Sequence, residues 1–190
     1  QIPNNMKTIN RLILALLVGV VSITFYQCKP KGPAEVSMRD AASKVYVAPG
    51  KYDEFYNFVS GGFSGQMAVY GLPSGRLLRV IPVFSVDPEK GYGYSEESKP
   101  MLMTSHGFVP WDDLHHVSFS QTNGEIDGRW TFGNGNNTPR VARIDNTTFR
   151  TAEIIELPNS AGNHSSPFIT ENSEYLVAGT RFSVPVGDNT

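Results

Sequence analysis

The chain has 190 residues, 39% of them hydrophobic and 18% charged, and a net charge of -2. That balance excludes a disordered or fibrous chain and leaves no basic excess for gripping nucleic acid. The 18 glycines and 13 prolines lie among short apolar runs, which favours strands and turns and an all-β class.

The first elements concern targeting. Residues 1–5 have no signal character, and Met6 reads as the translational start. Lys7 and Arg11 then precede Leu12–Phe25, an apolar run of 14 residues. This is short of the roughly 20 residues that span a bilayer and fits the core of a secretory signal. No arginine pair precedes it, which favours the general secretion route over export of a folded protein. Residues 6–28 therefore read as a signal peptide and the chain as exported. Cys28 is the single cysteine, so no disulfide can form within the chain. Its place just after the apolar run suits a lipid-modified residue that becomes the mature N-terminus. Phe25-Tyr26-Gln27 before it is bulkier than such a site usually has, and the alternative is an incidental cysteine beside an ordinary cleavage site.

Residues 29–45 read as a polar tether, and residues 46–190 as globular. Gln66–Tyr70 and Arg76–Val83 predict two strands around the Leu72-Pro73-Ser74-Gly75 turn. Val83–Pro100 reads as a loop, and Met101–Trp111 is ambiguous. His115–Ser120 alternates weakly. Arg129–Phe132 and Arg140–Ile144 predict strands, separated by Gly133-Asn134-Gly135-Asn136-Asn137. Thr151–Leu157 and Tyr175–Phe182 are further β-rich runs. No segment sustains a helical period. Met67–Arg76 weakly echoes Val141–Arg150, with Ala68/Ala142 and Arg76/Arg150 coincident. Repeated strand–turn–strand units point to a β-propeller. At about 40–50 residues per blade, residues 46–190 hold about three blades, too few to close a ring of roughly 4–8.

Four histidines carry the candidate chemistry: His106, His115, His116 and His164. Neutral imidazole suits copper, zinc, nickel and iron. His115 and His116 are adjacent, and neighbouring side chains on a regular strand point to opposite faces. One centre takes both only if the backbone is irregular there, or if a multinuclear cluster uses one imidazole on each of two atoms. Asp113, two residues before His115, is placed to orient a ligand imidazole by hydrogen bonding, and Asp112 is the alternative. The competing reading is a solvated histidine pair in a loop. No HExxH, CxxC, GxSxG, Walker or dinucleotide pattern is present.

At this point the sequence resembles nitrous-oxide reductase. The resemblance rests on Ser60-Gly61-Gly62, Ile81–Asp87 (IPVFSVD), Glu97-Ser98-Lys99, Asp113-Leu114-His115-His116, Asp127-Gly128, Thr138–Arg143 (TPRVAR) and Ile155–Asn159 (IELPN) leading to His164. The match runs from about Tyr52 to Pro185, and it is the ordered combination that is specific. Two departures are Val117, where many members have proline, and the signal, which fits the branch exported by general secretion. The resemblance implies a periplasmic oxidoreductase of denitrification. Its N-terminal domain is a seven-bladed propeller holding a four-copper, sulfide-bridged cluster on seven histidines, where nitrous oxide is reduced to dinitrogen and water. Its C-terminal cupredoxin domain holds a binuclear copper site. It further implies a homodimer, an electron donor such as a c-type cytochrome or a cupredoxin, and calcium in the full-length enzyme. By position, His115 and His116 match the adjacent ligand pair, His164 a third ligand, and Asp113 an acidic residue with a catalytic role at the active-site pocket. His106 matches no ligand.

On this reading the chain is the N-terminal part of such an enzyme, a propeller of about three blades without the cupredoxin domain. The isolated chain is expected to be inactive and to bind copper weakly or nonspecifically. The alternatives are a non-catalytic exported β-propeller binding module or lipoprotein, and a different exported metalloenzyme on a propeller.

Overall fold

The computed structural model describes residues 41–165 and 167–182. The signal peptide, Cys28 and most of the tether lie outside the described residues. The chain divides between Lys44 and Val45, a boundary crossed by one short helix, α1 (Ala41–Val45). The sheets all belong to the part from Val45 onward.

Strands β1 (Phe55–Ser60), β2 (Gln66–Leu72) and β3 (Leu77–Pro82) form an antiparallel meander. Along β2, Met67 and Val69 are fully buried while Ala68 and Tyr70 are only partly covered, the period-2 pattern of a strand with one packed face. The turn between β2 and β3 is pinned from outside. Asp53 accepts hydrogen bonds from Ser74 N (3.0 Å) and Arg76 Nη2 (2.7 Å). A short 3-10 turn over Lys99–Leu102 leads into the two-residue strands β4 (Met103–Thr104) and β5 (Gly107–Phe108). The second sheet is a four-stranded meander of β6 (Leu114–Thr122), β7 (Glu125–Gly135), β8 (Arg140–Asp145) and β9 (Arg150–Glu156). Finally, β10 (Phe168–Ile169) pairs with β11 (Leu176–Val177).

The two larger sheets pack face to face, β1 against β6 and β3 against β9. Between them lies the core: Met67, Val69, Ile81, Val83 and Phe84 from the first side, and Leu114, Ala142 and Ile144 from the second. Burial of such side chains contributes roughly 1.5–3 kcal/mol each. The internal echo has a structural counterpart, because Met67–Arg76 spans the β2–β3 hairpin and Val141–Arg150 the β8–β9 hairpin. Met67 and Val69 face the second sheet. Their equivalents, Val141 and Arg143, line a cavity with Ile169, Tyr175 and Leu176. Each sheet thus offers the same face to the next segment of the chain, as propeller blades do. The sheets are not closed on one another, and the described residues form a partial, all-β propeller-like fold.

Three sequence expectations are corrected. Strand β7 runs on through Gly133-Asn134-Gly135, which composition reads as a turn. The glycines serve close approach instead. A Cβ at Gly133 would lie 2.6 Å from Leu114 Cδ1, and one at Gly135 would collide with the Asp112 carboxylate. The strand expected over Tyr175–Phe182 is only Leu176–Val177. Strands β1 and β10 have no counterpart among the expected elements.

Behind Gly135 sits a buried polar post. Asp112 is fully buried and accepts hydrogen bonds from Asp113 N (2.7 Å), Asn137 N (2.9 Å), Thr138 N (3.0 Å) and Thr138 Oγ1. Arg140, also fully buried, lies 3.8 Å from Asp112 Oδ2. It donates to the carbonyls of Val109 (2.9 Å) and Trp111 (3.0 Å) and lies over the Phe84 ring. This network fixes the β7–β8 turn against the segment entering β6. Asp112→Ala would leave the guanidinium buried without its counter-charge, and such a loss costs about 3–5 kcal/mol. Urea unfolding monitored by tryptophan fluorescence is expected to show a loss of that size.

Candidate metal centre

The problem posed by adjacent histidines is solved by the backbone. Leu114 pairs with Gly135 and Val117 with Gly133. Two residues of β6, His115 and His116, therefore stand opposite one residue of β7, Asn134. This is a β-bulge, which interrupts the alternation of a strand and re-aims its side chains. A bulge also leaves ladder groups unpaired. Here the His116 N–H is satisfied by the side chain of the opposing residue, donating to Asn134 Oδ1 at 2.7 Å. Asn134 is fully buried.

The third histidine arrives on a loop. Asn163 N donates to Gly135 O at 3.2 Å, and Asn134 Nδ2 donates to Asn163 O. Arg181 N donates to Gly162 O at 2.8 Å on the other flank. His164, the next residue after Asn163, is thereby delivered beside the bulge. The ring centroids of His115 and His164 are 4.4 Å apart, those of His115 and His116 4.5 Å, and those of His116 and His164 5.3 Å. Each ring offers one nitrogen, and these three atoms lie within 4.8 Å of one another.

The electrostatics are resolved at His116. Burial, then the proximity of His115 and His164, holds the His116 imidazole below its usual pKa. His115 Nδ1 is buried with no hydrogen-bond partner among the described residues. A buried polar atom without a partner is costly, and an imidazole lone pair in that position is relieved by a metal ion. These observations fit a cation held by nitrogen donors. Metal–nitrogen bonds of about 2.0–2.1 Å limit two nitrogens on one ion to about 4.2 Å apart. A spread of up to 4.8 Å therefore needs a small side-chain adjustment for one ion and has room for more than one.

The sequence-predicted residues separate clearly. His115, His116 and His164 converge. His106 is exposed on the β4–β5 turn and lies outside this group. Asp113 is almost fully buried. Its Oδ2 accepts a hydrogen bond from Asn136 Nδ2 at 2.9 Å, and its carbonyl accepts one from Asn136 N at 2.9 Å. No hydrogen bond joins Asp113 to an imidazole among the described residues. Asp112 is committed to the post beneath. Sequence reasoning missed Asn134 and Asn163 because Gly-Asn clusters resemble turns, and nothing local in them signals a bulge partner.

The depressed His116 pKa carries a sign for stability. The folded state resists protonation, so the contribution is fully present above the unfolded value of 6.5 and is lost as pH falls below it. In metal-free protein, the melting temperature is expected to fall below about pH 6.5, and His116→Asn should flatten that part of the profile.

Comparison with protein families finds no matching family. Several individual proteins are similar, among them the following three. The nitrous-oxide reductase of Pseudomonas fluorescens is 38% identical over 148 residues, 77% of this chain and 23% of that protein. That of Stutzerimonas stutzeri is 35% identical over 78% of this chain and 23% of the relative. That of Cupriavidus necator is 36% identical over 80% and 25%. The chain thus spans about a quarter of the length of the curated relatives it matches. Over about four-fifths of its own length, the chain is nitrous-oxide-reductase-like.

Proposed function

We propose that His115, His116 and His164 are copper ligands, and that this chain is part of a protein that reduces nitrous oxide, the reaction for which its relatives are named. The observation that carries this reading is the convergence of three imidazoles at a strand bulge, with one ring nitrogen buried and unpartnered among the described residues. Their spread suits a polynuclear centre better than one ion, and further ligands then come from outside these three.

Reduction of nitrous oxide to dinitrogen and water needs two electrons and two protons. Copper bound there would supply the electrons and act as a Lewis acid on the substrate oxygen. The chain's own residues do the rest. Neutral imidazoles hold the metal without cancelling its charge, as thiolates would. The lowered His116 pKa favours the unprotonated form of that ring, the form that binds a metal. Asp113, whose Oδ2 is engaged by Asn136, is assigned to proton handling at the site. The cluster works in an exported, periplasmic protein that receives electrons from a c-type cytochrome or a cupredoxin. Homodimer assembly belongs to the same proposal.

Copper(I) titration of the chain against a competing chelator tests the ligand assignment. His115→Ala, His116→Ala and His164→Ala are each expected to weaken binding by at least ~10-fold, since even an outer partner of a metal ligand is worth 10–100-fold. His106→Ala should leave binding unchanged. Equal affinity in all four variants would sink the assignment. The 190-residue chain assayed alone is expected to show no reduction of nitrous oxide by gas chromatography, because three imidazoles do not complete a polynuclear centre.

A further inference from the structure

We infer that Asn134 is a positioning residue for this site: its one side-chain amide sets the spacing of the three histidines by holding the strand bulge with one end and the His164 loop with the other. The Oδ1 end accepts from His116 N at 2.7 Å. The Nδ2 end donates to the carbonyl of Asn163, the residue before His164. Asn163 N returns a hydrogen bond to Gly135 O at 3.2 Å, so the loop is tied to β7 through both backbone polar groups of Asn163.

The chemistry explains why asparagine stands here. The bulge leaves a donor to satisfy, and the loop offers an acceptor. A buried residue meeting both must carry an acceptor and a donor on one short side chain. Aspartate has the acceptor alone, and its second oxygen would face the Asn163 carbonyl. Leucine has similar bulk but neither group. Gly133 and Gly135 flank the residue and leave room on the opposite face for Leu114 and the Asp112 carboxylate. The Gly133-Asn134-Gly135 tripeptide is therefore one unit, with glycine for approach to the core and asparagine for the ligand geometry.

The inference rests on the copper reading only for its effect on affinity; the geometric claim stands in metal-free protein. The test compares the wild-type chain with Asn134→Asp, Asn134→Leu and a control, Asn146→Ala. Asn146 hydrogen-bonds Thr131 Oγ1 (2.8 Å) and Gly128 O (3.1 Å) nearer the other end of β7. In metal-free protein, NMR would follow His115–His164 ring contacts and exchange of the His116 amide. Asn134→Leu is expected to lose the ring contacts and speed His116 exchange at least ~10-fold, the signature of a lost protecting hydrogen bond. Asn134→Asp should keep the His116 protection and still lose the ring contacts. Copper(I) affinity should fall ~10–100-fold in both, with Asn146→Ala unchanged in ring contacts and affinity. If Asn134→Leu fails to fold, Asn134→Asp carries the comparison. Wild-type ring contacts in Asn134→Asp would overturn the inference, as would equal loosening in Asn146→Ala. A wild-type chain that takes no copper, while its ring contacts respond as described, would overturn the copper reading and leave the positioning role supported.

Discussion

The site depends on a single departure from strand regularity, two residues of β6 set against one of β7. In an unbroken ladder His115 and His116 would point to opposite faces, and one of them would be lost to the packed side. The bulge turns both toward the loop that carries His164. It also creates a backbone donor with no ladder partner, a group that costs about 1–3 kcal/mol if buried unsatisfied. Asn134 Oδ1 removes that cost. The irregularity that gathers the histidines is therefore sustained by the strand opposite it.

That arrangement is stable because of what lies beneath. Leu114 opens β6 inside the core, and its amide donates to Gly62 O at 3.0 Å. Just before it, Asp112 is locked by the β7–β8 turn and faces buried Arg140. Register is set on both sides of the bulge, by apolar side chains at Leu114 and Val117 and by the polar post at Asp112. A slip by one residue would flip every side chain of β6 to the wrong face. His115 and His116 stand at the margin of the packed sheet pair, and so their positions are inherited from the core rather than from a loop. Only His164 comes from a loop, and that loop is hydrogen-bonded to Asn134 and Gly135.

The chemistry follows from the same placement. The three imidazoles crowd one another, and burial with the proximity of His115 and His164 lowers the His116 pKa. Such a group gains by binding a cation, and the donor set is one that copper accepts. The relatives named nitrous-oxide reductase align over about four-fifths of this chain, yet the chain accounts for only about a quarter of them. Two stacked meanders with equivalent hairpins fit a piece of a larger repeating ring, in which each sheet covers the face of its neighbour.

Much of this is legible in the sequence. Alternation and turn chemistry locate the β2–β3 hairpin and the cores of β7, β8 and β9, because those signals are local and act over a few residues. The ordered motifs point to the histidines, whose chemistry is intrinsic to the side chain. Composition alone does not separate a glycine used for a turn from one used for close approach, so in the sequence β7 reads as ending before Gly133. Tertiary structure decides that point, because Leu114 and Asp112 occupy the space a side chain would need. It also decides that His115 and His116 share one side, and that His164, far along the chain, joins them. A bulge exists only in the register between two strands, and convergence over such a separation exists only once the core has fixed both, so neither leaves a mark on the residues taken one window at a time.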